Sequence, residues 1–124
     1  MLARVGRPEE PMLEGWSALA FMAAHSKQAT LGLMVGGVHY RQAGLWAKAA
    51  TTLDVLSGGR SYLGIGAAWN EEESHGLGFP MPSLGVRFPP RPFFSGIRQF
   101  GLEAHVAHAL QSDGDVLRLD LAGI

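Results

Sequence analysis

Cysteine is absent from the 124-residue chain. That excludes a disulfide framework, a thiolate zinc site and a thiol nucleophile. A long apolar run is absent as well: no stretch approaches the roughly 20 apolar residues that a membrane helix needs. The opening residues, with Arg4, Arg7, Glu9 and Glu10, carry charges where a signal peptide places its apolar core. Charge of one sign is also missing. With 10 Lys+Arg against 11 Asp+Glu, electrostatics give no reason to expect nucleic acid or an anionic membrane as a partner. There is no internal repeat and no low-complexity run. The expectation from these absences is one small cytoplasmic domain.

What the chain has in excess is chain breakers, 17 Gly and 7 Pro, and their positions organise it. Residues 1–13 read as an irregular lead-in, with Pro8 and Pro11 turning their predecessors away from helix. From Glu14, the spacing of Trp16, Leu19, Ala20 and Ala23 predicts a helix that ends on the polar run His25-Ser26-Lys27. The apolar run Ala29–Val35, closed by Gly36-Gly37, predicts a strand buried on both faces. A second helix is expected over residues 41–56, with Leu45, Ala49, Leu53 and Leu56 facing the core, stopped by Ser57-Gly58-Gly59. Residues 61–66 repeat the buried-strand pattern. Strand, helix, strand over about forty residues is a βαβ unit, so the two strands should pair in parallel through a right-handed crossover. Asn70–Glu73 should open another helix. A breaker zone follows over residues 76–92, with Pro80, Pro82, Pro89, Pro90 and Pro92. A weak helix is expected over 97–110, and the alternation of Val116–Leu121 suggests a half-exposed strand.

Several residue groups could carry chemistry. Gly64-Ile65-Gly66-Ala67-Ala68-Trp69 begins like a dinucleotide fingerprint, but that motif needs a small third residue for helix–strand packing and Trp69 stands there, so the Rossmann reading is rejected. Both strand exits are nonetheless glycine-rich, and ligands of parallel α/β folds bind at that end. The exits are either two tight turns or neighbouring turns over which a flat cofactor lies. Asn70 suits either a cofactor edge or a helix cap. Glu71, Glu72 and Glu73 fit a first helical turn better than a paired-carboxylate site. His39 is either a well-placed titrating group or a turn residue. His25 is expected at a helix end, and His75 carries no assignment. His105 and His108 could share a helix face, but no carboxylate completes a ligand set, so no metal site is expected.

The stretches Glu9–Trp16 and Leu31–Arg41 resemble the bacterial-luciferase-like oxidoreductases. The likeness strengthens through Thr52-Leu53-Asp54-Val55-Leu56-Ser57-Gly58-Gly59-Arg60 and is most specific in Leu63-Gly64-Ile65-Gly66-Ala67-Ala68-Trp69-Asn70-Glu71-Glu72-Glu73. It continues through Gly76–Pro80 to Leu84 and Arg87-Phe88. The closest branch is the one described as dependent on the deazaflavin coenzyme F420. The resemblance implies a (β/α)8 barrel whose strands hold FMN or the deazaflavin at their C-terminal ends, the deazaflavin being the expected one. The strands at 31–37 and 61–66 would then be the third and fourth. A non-proline cis peptide would fall near Met34-Val35, and Met34, Val35, Gly37, Gly66, Ala67 and Asn70 would line the cofactor site. The implied reaction is hydride transfer or monooxygenation on a small organic substrate, with no catalytic residue assigned. Asp-His or a similar pair, frequent at the end of the family's second strand, is absent, and Gln42-Ala43 replaces a frequent His-Pro.

The fold expected is therefore α/β: a partial (β/α)8 barrel with about two parallel strands, since a whole barrel takes roughly 250 residues. Residues 1–88 form the luciferase-like fragment. Residues 89–124 form an unrelated-looking tail, because Pro89-Pro90-Arg91-Pro92 cannot continue as the family's amphipathic helix. A shifted reading frame or a replaced C-terminus would explain so abrupt a break. The alternative to an active oxidoreductase is a non-catalytic remnant or assembly module, forming a homo-oligomer through its open strand edges.

Overall fold

The computed structural model describes residues 7, 9–87, 104–105 and 117–120. Helix α1 spans Gly15–His25. Its N-cap is Glu14, whose carboxylate accepts from the amides of Trp16 at 3.1 Å and Ser17 at 2.9 Å, satisfying donors that the first turn leaves open. At the other end the His25 Nδ1–H donates to the Phe21 carbonyl at 2.9 Å, as expected of a helix-end histidine. Strand β1 runs Leu31–Gly37 and leads through a 3₁₀ turn, Val38–Tyr40, into α2, Ala43–Ser57. Gly58 ends α2 in the left-handed region at φ 68°, a conformation that glycine adopts without steric cost. Strand β2 follows at Ser61–Gly66, then α3 at Glu71–Gly76 and the single turn α4 at Leu84–Arg87. The last elements are β3, Ala104–His105, and β4, Leu117–Asp120.

The βαβ expectation holds. β1 and β2 pair in parallel, from Leu31 opposite Ser61 to Gly37 opposite Gly66. The open sheet has the order β1-β2-β4-β3, and β4 pairs antiparallel with both β2 and β3. β4 matches the strand expected near Val116–Leu121. The weak helix expected over 97–110 is corrected at Ala104–His105, which are strand; the rest of that segment lies outside the described residues. The breaker zone also contains α4, a turn that none of its prolines interrupts.

α1 and α2 cover one face of the β1–β2 pair. Trp16 and Ala23 of α1, Trp46, Ala47, Ala50 and Leu53 of α2, and Leu31, Leu63 and Ile65 of the strands form the core. Trp16 and Trp46 meet edge to face, with centroids 5.8 Å apart, the arrangement that the ring quadrupoles favour. The core-facing stripe expected of α2 needs correction. Leu45 and Leu56 are exposed, and the buried face is Trp46, Ala47, Ala50, Leu53, Asp54 and Ser57. The helix is rotated because Trp46 lies over Gly36, where a β-carbon would approach its ring to 2.2 Å, and because Asp54 takes the Ser61 hydroxyl at 3.0 Å. β1 is likewise not buried on both faces: Met34 and Val35 are 82% and 40% exposed. Among the described residues, helices back only one side of this strand pair.

Candidate functional site at the strand exits

The in-register pair Gly37–Gly66 closes the parallel ladder at the C-terminal ends of β1 and β2. Between Leu33 and Gly36 the register shifts, so β1 spends one more residue than β2. That bulge contains the Met34–Val35 peptide, which is cis, at the place the resemblance implied. Met34 points largely into solvent, and Val35 folds across β2. A β-carbon at Gly66 would stand 2.7 Å from Val35 Cγ2, and one at Gly64 would stand 2.3 Å from the Leu33 carbonyl oxygen. Two glycines of the fingerprint-like run are therefore small because β1 lies on them.

After Gly66 the chain turns sharply. Ala67 is buried, and Ala68 adopts φ 62° without being glycine. The Arg87 Nη1–H group holds this turn, donating to the carbonyls of Ala67 at 3.0 Å and Ala68 at 2.5 Å. Asn70 caps α3: its Oδ1 accepts the Glu73 amide at 3.2 Å. Glu71 and Glu72 are exposed in that first turn, the solvated arrangement preferred for the acidic run. Glu73 does more, accepting the Tyr40 hydroxyl at 3.2 Å.

His39 reaches α3 rather than solvent. Its Nε2 lies 2.9 Å from Ser74 Oγ, and the Ser74 hydroxyl donates to the Phe79 carbonyl at 3.1 Å. A hydroxyl has one hydrogen, so Ser74 Oγ accepts from His39 Nε2–H. The lone pair then sits on His39 Nδ1, which is buried and has no hydrogen-bond partner among the described residues. Burial, with the Arg87 charge behind it, lowers the imidazole's pKa. Burial, with the charge and hydrogen bond of Glu73, raises that of the Tyr40 phenol. The Phe79 ring stands edge-on to Tyr40, with centroids 5.4 Å apart.

Beside this cluster an open groove of about 1020 Å³ runs between the start of α1, the β1 exit and α3. Tyr40, Leu45, Leu77 and Phe79 line it, with Glu14, Arg41, Glu72 and Glu73 as charged groups. Glu14 also takes the Arg41 guanidinium at 2.6 Å. None of the six residues expected at the cofactor lines this groove. Those six do converge at the strand exits, but differently from one another. Met34 and Val35 are exposed, Gly37 and Gly66 end the ladder, Ala67 is buried, and Asn70 is committed through its oxygen. Sequence reasoning missed Ser74, Phe79 and Arg87 as parts of the exit. The only signal for them was that each lies within the stretch Leu63 to Phe88 on which the resemblance was carried. Among the described residues no group of three potential metal ligands forms. His105 lies on β3, not a helix, and His108 is outside the described residues.

Residues 2–88 match the family of luciferase-like monooxygenases. The chain belongs to that family. No curated protein and no solved structure matches it. Luciferase-like monooxygenases are oxidoreductases that use flavin-type cofactors, FMN or the deazaflavin. The family match ends one residue before Pro89, where the resemblance read from the residues also stops. Within the luciferase-like barrel, all strands run parallel, and the β1–β2 pair keeps that arrangement. Among the described residues no helix is long and apolar enough to cross a membrane.

Proposed function

We propose that residues 1–88 are the cofactor-bearing segment of a luciferase-like oxidoreductase that carries out hydride transfer or monooxygenation on a small organic substrate. The in-register Gly37–Gly66 pair, with Met34 and Val35 exposed beside it, carries this reading. It sets two strand exits side by side at the end of the parallel β1–β2 pair, the end at which parallel α/β folds bind ligands. The residues fit one wall of a flavin-type site. Met34 and Val35 offer an apolar platform for a flat ring. Gly37, small because Ala68 and the Tyr40 ring crowd it, offers backbone, and Asn70 keeps its amide nitrogen as a donor once its oxygen is spent on the cap. Gly66 and Ala67 contribute through backbone alone, one lying under Val35 and the other buried. Coenzyme F420, the preferred cofactor, would supply a hydride, whereas oxygen activation would need reduced FMN; in either case the protein would orient the bound group. Titrating the purified protein with each cofactor tests this. A saturable fluorescence change with the deazaflavin, stronger than with FMN, is the expected result, and no change with either would sink the reading.

A second reading is favoured by β4. It lies antiparallel on the β2 edge, where a luciferase-like barrel would set its next parallel strand. In that reading β4 covers the β2 edge in a non-catalytic remnant or assembly module, and copies associate through the β1 edge. Light scattering separates the two, because a concentration-dependent dimer without cofactor binding supports the second alone.

A further inference from the structure

The His39 ring is tied to a distant element, and while neutral it is tied through a single tautomer. The Ser74 hydroxyl is fully buried and spends its hydrogen on the Phe79 carbonyl, so only Nε2–H of His39 can complete the bond across the 35 residues between them. His39 also stacks tilted on Tyr40, with centroids 4.2 Å apart, and meets Phe79 edge-on. The Tyr40 hydroxyl in turn holds Glu73. These contacts join the 3₁₀ turn after β1 to α3 and to the turn that follows it. A second proton on His39 would go to Nδ1, which is buried and has no hydrogen-bond acceptor among the described residues. A buried donor left unpaired is costly, and a buried unpaired charge more so.

We propose that His39 is a pH-sensitive latch, holding α3 and the Phe79 turn against the strand exits while its ring is neutral and releasing them when Nδ1 takes a proton. The charged and titratable groups around it are Arg87 from α4, Glu73 and His75 flanking Ser74 on α3, and Tyr40 at its side. Arg87 opposes a cationic ring, adding to burial. Glu73 is engaged by Tyr40 and is not bonded to the imidazole. Among the described residues, the short helix α3 has few anchors besides this one: its Asn70 cap, the Tyr40–Glu73 bond and the backbone bond from Phe79 to Ser74 at 2.8 Å. Losing the latch therefore frees a local unit instead of the whole core. The proposal needs no cofactor and stands apart from the oxidoreductase reading.

Hydrogen exchange of the whole protein at pH 7.5 and 5.5, corrected for intrinsic rates, tests it. Protection of residues 71–79 should fall about tenfold at the lower pH, while α1 and α2 stay unchanged. His39→Gln keeps an N–H donor without titrating, and should remove the pH dependence. Equal protection at both pH values overturns the latch. So does the same loss in His39→Gln, which would assign the effect to the α3 carboxylates. Should His39→Gln fail to fold, an NMR titration of the native ring decides: a titration below the ordinary histidine value, moving together with the Ser74 and Phe79 amides, supports the latch. A titration at or above that value overturns it.

Discussion

Val35 lies across Gly66, so that a β-carbon built on residue 66 would come within 2.7 Å of Val35 Cγ2. The contact couples the β1 bulge to the β2 exit. Valine has little freedom to turn away. Gly66→Ala should therefore destabilise the protein by about 1–3 kcal/mol, the usual cost of overpacking. Combining it with Val35→Ala should recover part of the loss, because the second change removes the methyl groups in conflict. Urea unfolding of the single and double variants measures both, and additive losses would show that the two residues do not share the space.

Ala68 holds φ 62°, a region that costs a residue with a β-carbon about 1–2 kcal/mol. Ala68→Gly should raise stability by about 0.5–1 kcal/mol, the relief being partly offset by the greater freedom of glycine in the unfolded chain. A higher Tm in a thermal melt checks it. A lower Tm would mean that the methyl group's contact with the β1 exit outweighs the strain.

Ser74 is fully buried and serves two partners. Ser74→Ala leaves the His39 Nε2–H and the Phe79 carbonyl each short of a bond. The expected cost is about 1–3 kcal/mol, with faster exchange in α3 as its local signature. Ser74→Thr tests whether the hydroxyl alone suffices in so closed a space.

Glu14 predicts an acid limb to stability. Burial opposes its ionisation, but the hydrogen bonds from Ser17 and Trp16 and the Arg41 charge outweigh it, so its carboxyl sits below the ordinary range. A lowered native pKa means that the unfolded chain binds the proton first. Its contribution is complete above the unfolded value and disappears as pH falls through the lower native one. Glu14→Gln should flatten that part of the pH–stability curve and cost stability at neutral pH. Chemical denaturation across pH 3–6 checks both effects.

The elements that were legible in the sequence are those specified by neighbours along the chain. Gly58 stops α2 because the residue after a helix needs the left-handed region. α3 starts after Asn70, whose own side chain caps it, one of the two readings that residue allowed. β2 runs from Ser61 to Gly66, as the apolar run bounded by glycines predicted. The face of α2 was not legible. Its leucine stripe looked the more hydrophobic, but a tryptophan that fits only over Gly36 and an aspartate that needs Ser61 turned the helix instead. The strand at Ala104–His105 was not legible either, since a weak helical spacing says nothing of the backbone partner that β4 provides.

For the candidate site the division is the same. The sequence by itself determined the family, through the run from Leu63 to Phe88 and the glycine-ended exits, and it determined the parallel pairing of two apolar strands joined by a helix. Only the tertiary structure decided what each exit residue does. Gly66 is small for Val35, Asn70 spends its oxygen on a cap, and Arg87 holds the Ala67–Ala68 turn from 19 and 20 residues away. His39 finds its acceptor in Ser74. Such bonds depend on where distant segments meet, and the chain order records only which residues are there to meet.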